Sequence, residues 1–216
     1  ELADKIMVKD KRFIFYPEAH LKEHAIEVEL PFLQRVYKDK DFKIVPIAMG
    51  SPLANDAEIL SDALYDVADD KTLVVISVDL SHYYSYDKAV RLDTSGISAI
   101  EKLDARWLMQ QINSKDTEID APIAVLAGIM FANRHDAKAI LLKYANSGDV
   151  TGDKSRVVGY SSIIIYVPEG AEKKERLIMK EEYLNKEEKQ KILEVARLSI
   201  IEAVTGKRQF FPNVTE

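Results

Sequence analysis

LVVISVDLSHYYSY, residues Leu73 to Tyr86, is the stretch on which the fold turns. Leu73 to Val78 are apolar or β-branched almost without a break, the pattern of a strand buried on both faces of a sheet. Asp79, Ser81 and His82 follow at once. In an open α/β sheet, ligands bind in the crevice beyond the carboxyl ends of the strands. A carboxylate and an imidazole three residues apart at that edge are therefore candidates for chemistry. The rival reading has Asp79 capping a turn and His82 lying on the surface.

Upstream of this stretch, Phe42–Met49 (FKIVPIAM) reads as a strand, and Asn55 is placed to cap a helix running to about Ala68. With the strand Thr72–Val78, these pieces form a strand–helix–strand unit. Such a crossover is right-handed in expectation, with its two strands parallel. Further back, Arg12–Tyr16 is a short strand candidate. Ile26, Leu30 and Leu33 recur at helical spacing, and Pro31 is expected to bend that helix.

Downstream, a tyrosine-rich loop (Tyr83, Tyr84, Tyr86) leads to a helix over roughly 87–103, then to a second helical piece over 105–112. After the polar loop SKDTEID, an apolar helix with Pro at its start spans Pro122–Asn133. Strands are expected over Ala137–Tyr144 and Arg156–Val167, with the turn-rich NSGDVTGDKS between them. That loop is not a phosphate loop. G-x-x-x-x-G-K-[ST] needs Lys directly after the second Gly, and Gly152 is followed by Asp153.

The composition bounds the function. The 216 residues carry a net charge of −6, which argues against a general nucleic-acid or anionic-membrane binder. No apolar run approaches the roughly 18 residues of a membrane span. There is no cysteine, which removes disulfides and thiolate ligands and fits a cytoplasmic protein. From Pro168 a mixed-charge linker runs over 169–183. The segment from Leu184 then carries an apolar stripe at helical spacing: Ile192, Leu193, Ala196, Ile200 and Val204. Such a stripe needs a partner surface, supplied by the first domain or by another copy of the chain, so a homo-oligomer is one expectation.

No glycine fingerprint follows a strand and no serine sits in G-x-S-x-G. What remains is a nitrogen- and oxygen-rich set: Glu23, His24, Glu27, Asp79 and His82. His20 and His24, four apart, would share one face of a helix and could form a two-histidine metal site. Histidines with carboxylates suit Fe, Zn, Mn or Cu without choosing among them. His135, at a helix end, reads as structural or surface.

EHAIEVELPFLQ (Glu23–Gln34), SVDLSHY (Ser77–Tyr83) and YANSGDVTGDKSRVVGYSS (Tyr144–Ser162) resemble the signatures of the Memo family, in particular its prokaryotic AmmeMemoRadiSam system protein B branch. The likeness covers about residues 18–167. The tail LNKEEKQKILEVARLSIIEAV (Leu184–Val204) resembles the first helix of an AMMECR-type domain. The resemblance implies an α/β Memo-like domain over 1–168, similar to class III extradiol dioxygenases, with a mostly parallel sheet flanked by helices. The linker 169–183 and a fragment of an AMMECR-type domain over 184–216 would follow.

For the site, the resemblance implies a divalent-metal pocket at the sheet edge. His24 and His82 would serve as ligands, and Asp79 and His82 would do the chemistry. AMMECR-type and radical-SAM proteins are the implied partners. An extradiol-type oxygenase acting on a small polar aromatic substrate is the rival function, and a non-catalytic interaction module the third. Three features depart from the family pattern. Its first histidine motif would precede Glu1, so the domain is expected to be N-terminally incomplete. Val150 stands about where animal members have a cysteine, and Glu118–Ala121 does not match the family's Cys-Gly pair.

Overall fold

Residues 122–132, PIAVLAGIMFA, contain no polar side chain, and a helix apolar all round belongs inside. The computed structural model, which describes residues 1–38, 40–50 and 53–168, places it there. The elements in order are α1 (Leu2–Met7), a 3-10 turn (Pro17–His20), α2 (Ala25–Val36), α3 (Ala54–Val67), β1 (His82–Tyr84) and α4 (Tyr86–Glu101). They continue with α5 (Ala105–Ser114), α6 (Pro122–Asn133), β2 (Lys138–Asn146), α7 (Ser147–Thr151) and β3 (Val157–Tyr166).

Helix α6 buries Ile123, Val125, Leu126, Ile129 and Phe131, and packs on α3 through Ala57, Leu60, Ala63 and Leu64. Burial of these side chains, at roughly 1.5–3 kcal/mol for each large aliphatic or aromatic one, is the main force assembling the domain. Just beyond α6, the His135 ring lies against Tyr65 and Phe131, with centroids 5.2 Å and 4.8 Å away, which fits its reading as a structural residue.

The sheet has three strands in the order β1–β3–β2, with both pairings antiparallel. The expected strands near 137–144 and 156–167 are β2 and β3, joined as a hairpin through α7. The loop NSGDVTGDKS folds as it does because Asn146 caps α7 at Gly148 N while Asp149 reaches back to Asn146 N, a capping box. Gly152 then ends the turn with φ +81°, a conformation glycine adopts without steric penalty.

The two strands expected to pair in parallel, 42–49 and 72–78, enter no ladder among the described residues. Both nevertheless lie on the core. Val74, Ile76 and Val78 face inward while Leu73 and Val75 are exposed, and Val45 and Met49 face inward while Ile44 and Ile47 are exposed. A Cβ on Gly128 would collide with the end of Ile76, so 72–78 lies close on α6. The apolar run suggested burial on both faces. The structure covers one, and the alternation of period two shows which.

Smaller expectations also shift. Arg12–Tyr16 forms no strand, and Ile14 and Phe15 are exposed. Asn55 lies inside α3 rather than at its cap, and α2 runs through Pro31. The linker 169–183 and the helix expected from Leu184 lie outside the described residues. No helix among the described residues is long and apolar enough to cross a membrane.

Candidate metal centre

The segment Asp79–Tyr84 leaves the core stretch and is stitched to β3. Leu80 N–H donates to Gly159 O at 2.9 Å, and Gly159 N–H donates to Ser81 O at 3.0 Å. Behind it, the fully buried Asp93 of α4 accepts from Ser81 N–H (2.9 Å) and from the Tyr144 hydroxyl (2.7 Å). Burial pushes the Asp93 carboxyl above its usual range, and those two donors only partly offset it. Gly159 is required here because a Cβ would fall 2.6 Å from Asp93 Cγ.

A second loop closes on the segment from the other side. Asp79 N–H donates to Asp120 Oδ1 at 3.1 Å, and Asp120 N–H returns a bond to Asp79 O at 3.2 Å. This reciprocal pair joins residues 41 apart in sequence. It brings ligand atoms of Asp79, His82 and Asp120 within 4.8 Å of one another. His82 Nε2 lies 3.5 Å from Asp79 Oδ2. The Asp79 carboxyl is raised by burial and then by the Asp120 charge, with His82 acting in the opposite sense. Two carboxylates and an imidazole, held together and only partly covered, are donor types that suit a hard-to-borderline divalent cation.

Tyrosines surround this group. Tyr160 of β3 is pushed up to about 12, first by burial and then by the Asp79 charge and Tyr83. The tyrosine-rich loop is anchored at each ring. Arg156 lies 5.0 Å from the Tyr83 ring, Lys88 3.9 Å from Tyr84 and Lys154 4.2 Å from Tyr86. The Tyr84 hydroxyl donates to Glu118 and the Tyr86 hydroxyl to Asp149, each at 2.8 Å.

The sequence-derived site residues part company here. Asp79 and His82 stand together, as the motif reading expects. His24 is not part of the Asp79–His82–Asp120 group. It is the N-cap residue of α2, its side chain 74% exposed and its Nδ1 2.8 Å from Glu27 Oε1. Glu23 caps the same helix by accepting from Ala25 N–H at 2.6 Å. The two-histidine helix face does not form, because the 3-10 turn ends at His20 and α2 starts only at Ala25. Helix α2 still reaches the site stretch, since Glu29, raised by burial, takes a hydrogen bond from Ser77.

Asp120 and Glu118 carry no site role in the sequence reading, which notes 118–121 only as polar loop and as a departure from the family's Cys-Gly pair. An acidic residue just before a Pro-initiated helix was the one available signal. Its ordinary explanation is the helix dipole.

Comparison with known proteins matches residues 1–164 to the Memo-like protein family. A MEMO1 family protein of Saccharolobus islandicus (strain Y.G.57.14) is 40% identical over 159 residues, covering 71% of this chain and 56% of the relative. One from Saccharolobus solfataricus is 40% identical over 147 residues, covering 66% and 51%. One from Desulfurococcus amylolyticus is 35% identical over 167 residues, covering 76% and 59%. The chain thus spans little more than half the length of these relatives. The matched signatures, and the family match over 164 of 216 residues, place this chain in the Memo-like family.

Proposed function

We propose that this Memo-like chain carries a divalent-metal pocket in which Asp79, His82 and Asp120 are the protein ligands. The observation that carries the reading is the gathering of those three ligand atoms within 4.8 Å. A bound cation would relieve the repulsion between the two carboxylates and would act as a Lewis acid toward a polar group of a small substrate. A parallel sheet of the extradiol-dioxygenase type, with this pocket at its edge, rests on the near-continuous apolar run Leu73–Val78 and on the motif likeness. Cytoplasmic work alongside AMMECR-type and radical-SAM proteins rests on the motif likeness and the cysteine-free composition.

Calorimetric titration of the 216-residue chain with Zn²⁺ and Mn²⁺ tests the ligand set. One ion per chain is expected, and Asp120→Ala should weaken binding by at least about 10-fold, the low end for lost metal support. His24→Ala, which tests the ligand carried by the family resemblance, should change affinity far less. Equal loss in both variants, or loss in His24→Ala alone, would reject this ligand set.

A further inference from the structure

We infer that Glu118 is a positioning residue that fixes the ring of His82 with Nε2 turned toward Asp79 and Asp120, an inference that rests on the metal pocket proposed above. The strand carrying His82 is only three residues long and is irregular. His82 pairs with Val158 and Tyr84 with Val157, leaving Tyr83 as an extra residue in the ladder. Tyr83 has φ +59°, the left-handed region that an aromatic residue disfavours. Bulges of this kind re-aim a side chain, and they persist where the surroundings hold them.

Glu118 holds this one from both flanks. Its Oε1 accepts from His82 N–H at 3.3 Å, and its Oε2 accepts from the Tyr84 hydroxyl at 2.8 Å. The same Oε1 lies 3.8 Å from His82 Nδ1, while Nε2 faces Asp79 at 3.5 Å. The imidazole therefore sits between two carboxylates, one at each ring nitrogen.

Glu118 is itself fixed. Thr117 Oγ1 donates to Leu92 O of α4 at 2.9 Å, Thr117 N–H to Gln111 O at 3.3 Å, and Asp120 is tied to Asp79 on the other side. Gly96 of α4 makes room for that loop, since a Cβ there would strike Thr117. A histidine that ligates through Nε2 must carry its proton on Nδ1, and the Glu118 carboxylate on the Nδ1 side draws the proton there against the pull of Asp79 on the Nε2 side.

The test reads His82 itself. The chain has four histidines, so ¹⁵N-labelled full-length protein gives a resolvable imidazole spectrum, with His82→Asn identifying the signal. The apo protein is recorded at a pH where the same spectrum shows the His82 ring to be neutral. His82 is expected to populate both neutral tautomers in wild type, each flanking carboxylate drawing the proton to the nitrogen it faces. Glu118→Ala should shift that mixture toward Nε2–H and weaken Zn²⁺ binding, read at the His82 nitrogens, by about 10–100-fold. Glu118→Gln keeps an acceptor oxygen and should restore the wild-type mixture, which also shows that the fold is intact.

An unchanged tautomer and unchanged Zn²⁺ affinity in Glu118→Ala would overturn the inference while leaving the pocket standing. A tautomer shift in a protein whose His82 nitrogens do not respond to Zn²⁺ would overturn the pocket and support the positioning role.

Discussion

Gly159→Ala should be the most damaging single-methyl change near the site, and its cost can be worked from the contacts. The added Cβ would lie 2.6 Å from Asp93 Cγ and 3.0 Å from Asp93 Oδ1. The backbone cannot slide away, because Gly159 both accepts from Leu80 N–H and donates to Ser81 O. The carboxylate must move instead, and moving it strands Ser81 N–H and the Tyr144 hydroxyl. Each buried donor left without a partner costs about 1–3 kcal/mol. With overpacking strain of similar size, a total of about 3–9 kcal/mol is expected, against a typical domain stability of about 5–15. Urea unfolding should show the midpoint falling with an unchanged slope. Gly50→Ala, with nothing within 4 Å of its Cβ, is the control and should stay within about 0.5 kcal/mol of wild type. The pair Gly159→Ala and Asp93→Ala should be strongly non-additive, since removing the carboxylate opens the space the methyl needs. A Gly159→Ala cost below about 1 kcal/mol, or simple additivity with Asp93→Ala, would refute the close approach.

Two further outcomes follow from single groups. The folded-state pKa of Asp93 is raised by burial, against its bonds from Tyr144 and Ser81 and with a smaller push from Glu118. The native state therefore holds the Asp93 proton to higher pH than the unfolded chain, and this group's contribution is lost as pH rises through its folded pKa. The stability of Asp93→Asn relative to wild type should accordingly improve from about pH 4 to pH 8 in thermal unfolding, and a difference flat with pH would contradict this. Asp104 caps α5 by accepting from Trp107 N–H at 2.8 Å, so Asp104→Ala should cost about 1 kcal/mol in denaturant unfolding, and an unchanged midpoint would show the cap to be idle.

Helices α4, α5 and α6 and the hairpin β2–β3 were legible because periodicity and caps are local. Pro122 opens α6, and alternation marks the strands. Local chemistry also carried Asp79 and His82, since both sit in one short motif. The parallel pair 42–49 and 72–78 was not recoverable in this form. A sequence that is apolar at every position but Ser77 over Leu73–Val78 says that both faces are suited to burial. It cannot say which face a given set of neighbours covers, and among the described residues α6 and its surroundings cover only the Val74–Ile76–Val78 side.

Asp120 and Glu118 were illegible for a different reason, and it bears on how this site works. Neither matches a family motif, since Glu118–Ala121 departs from the Cys-Gly pair, and each meets the His82 segment only through tertiary closure, 41 residues away for Asp120 and 36 for Glu118. Their polar loop is set by Thr117 on α4 and by the Asp79–Asp120 backbone exchange, so the helix core dictates where the carboxylates stand. The motif supplies an imidazole on a bulged three-residue strand that would not hold its own geometry. The loop supplies the restraint. A site divided in this way places its specificity in the non-motif half: relatives sharing SVDLSHY but differing over 117–120 would keep a histidine at the same edge while changing the charge and donors around it. In this chain that half is acidic, and an acidic surround with one imidazole favours a cation over an anionic ligand.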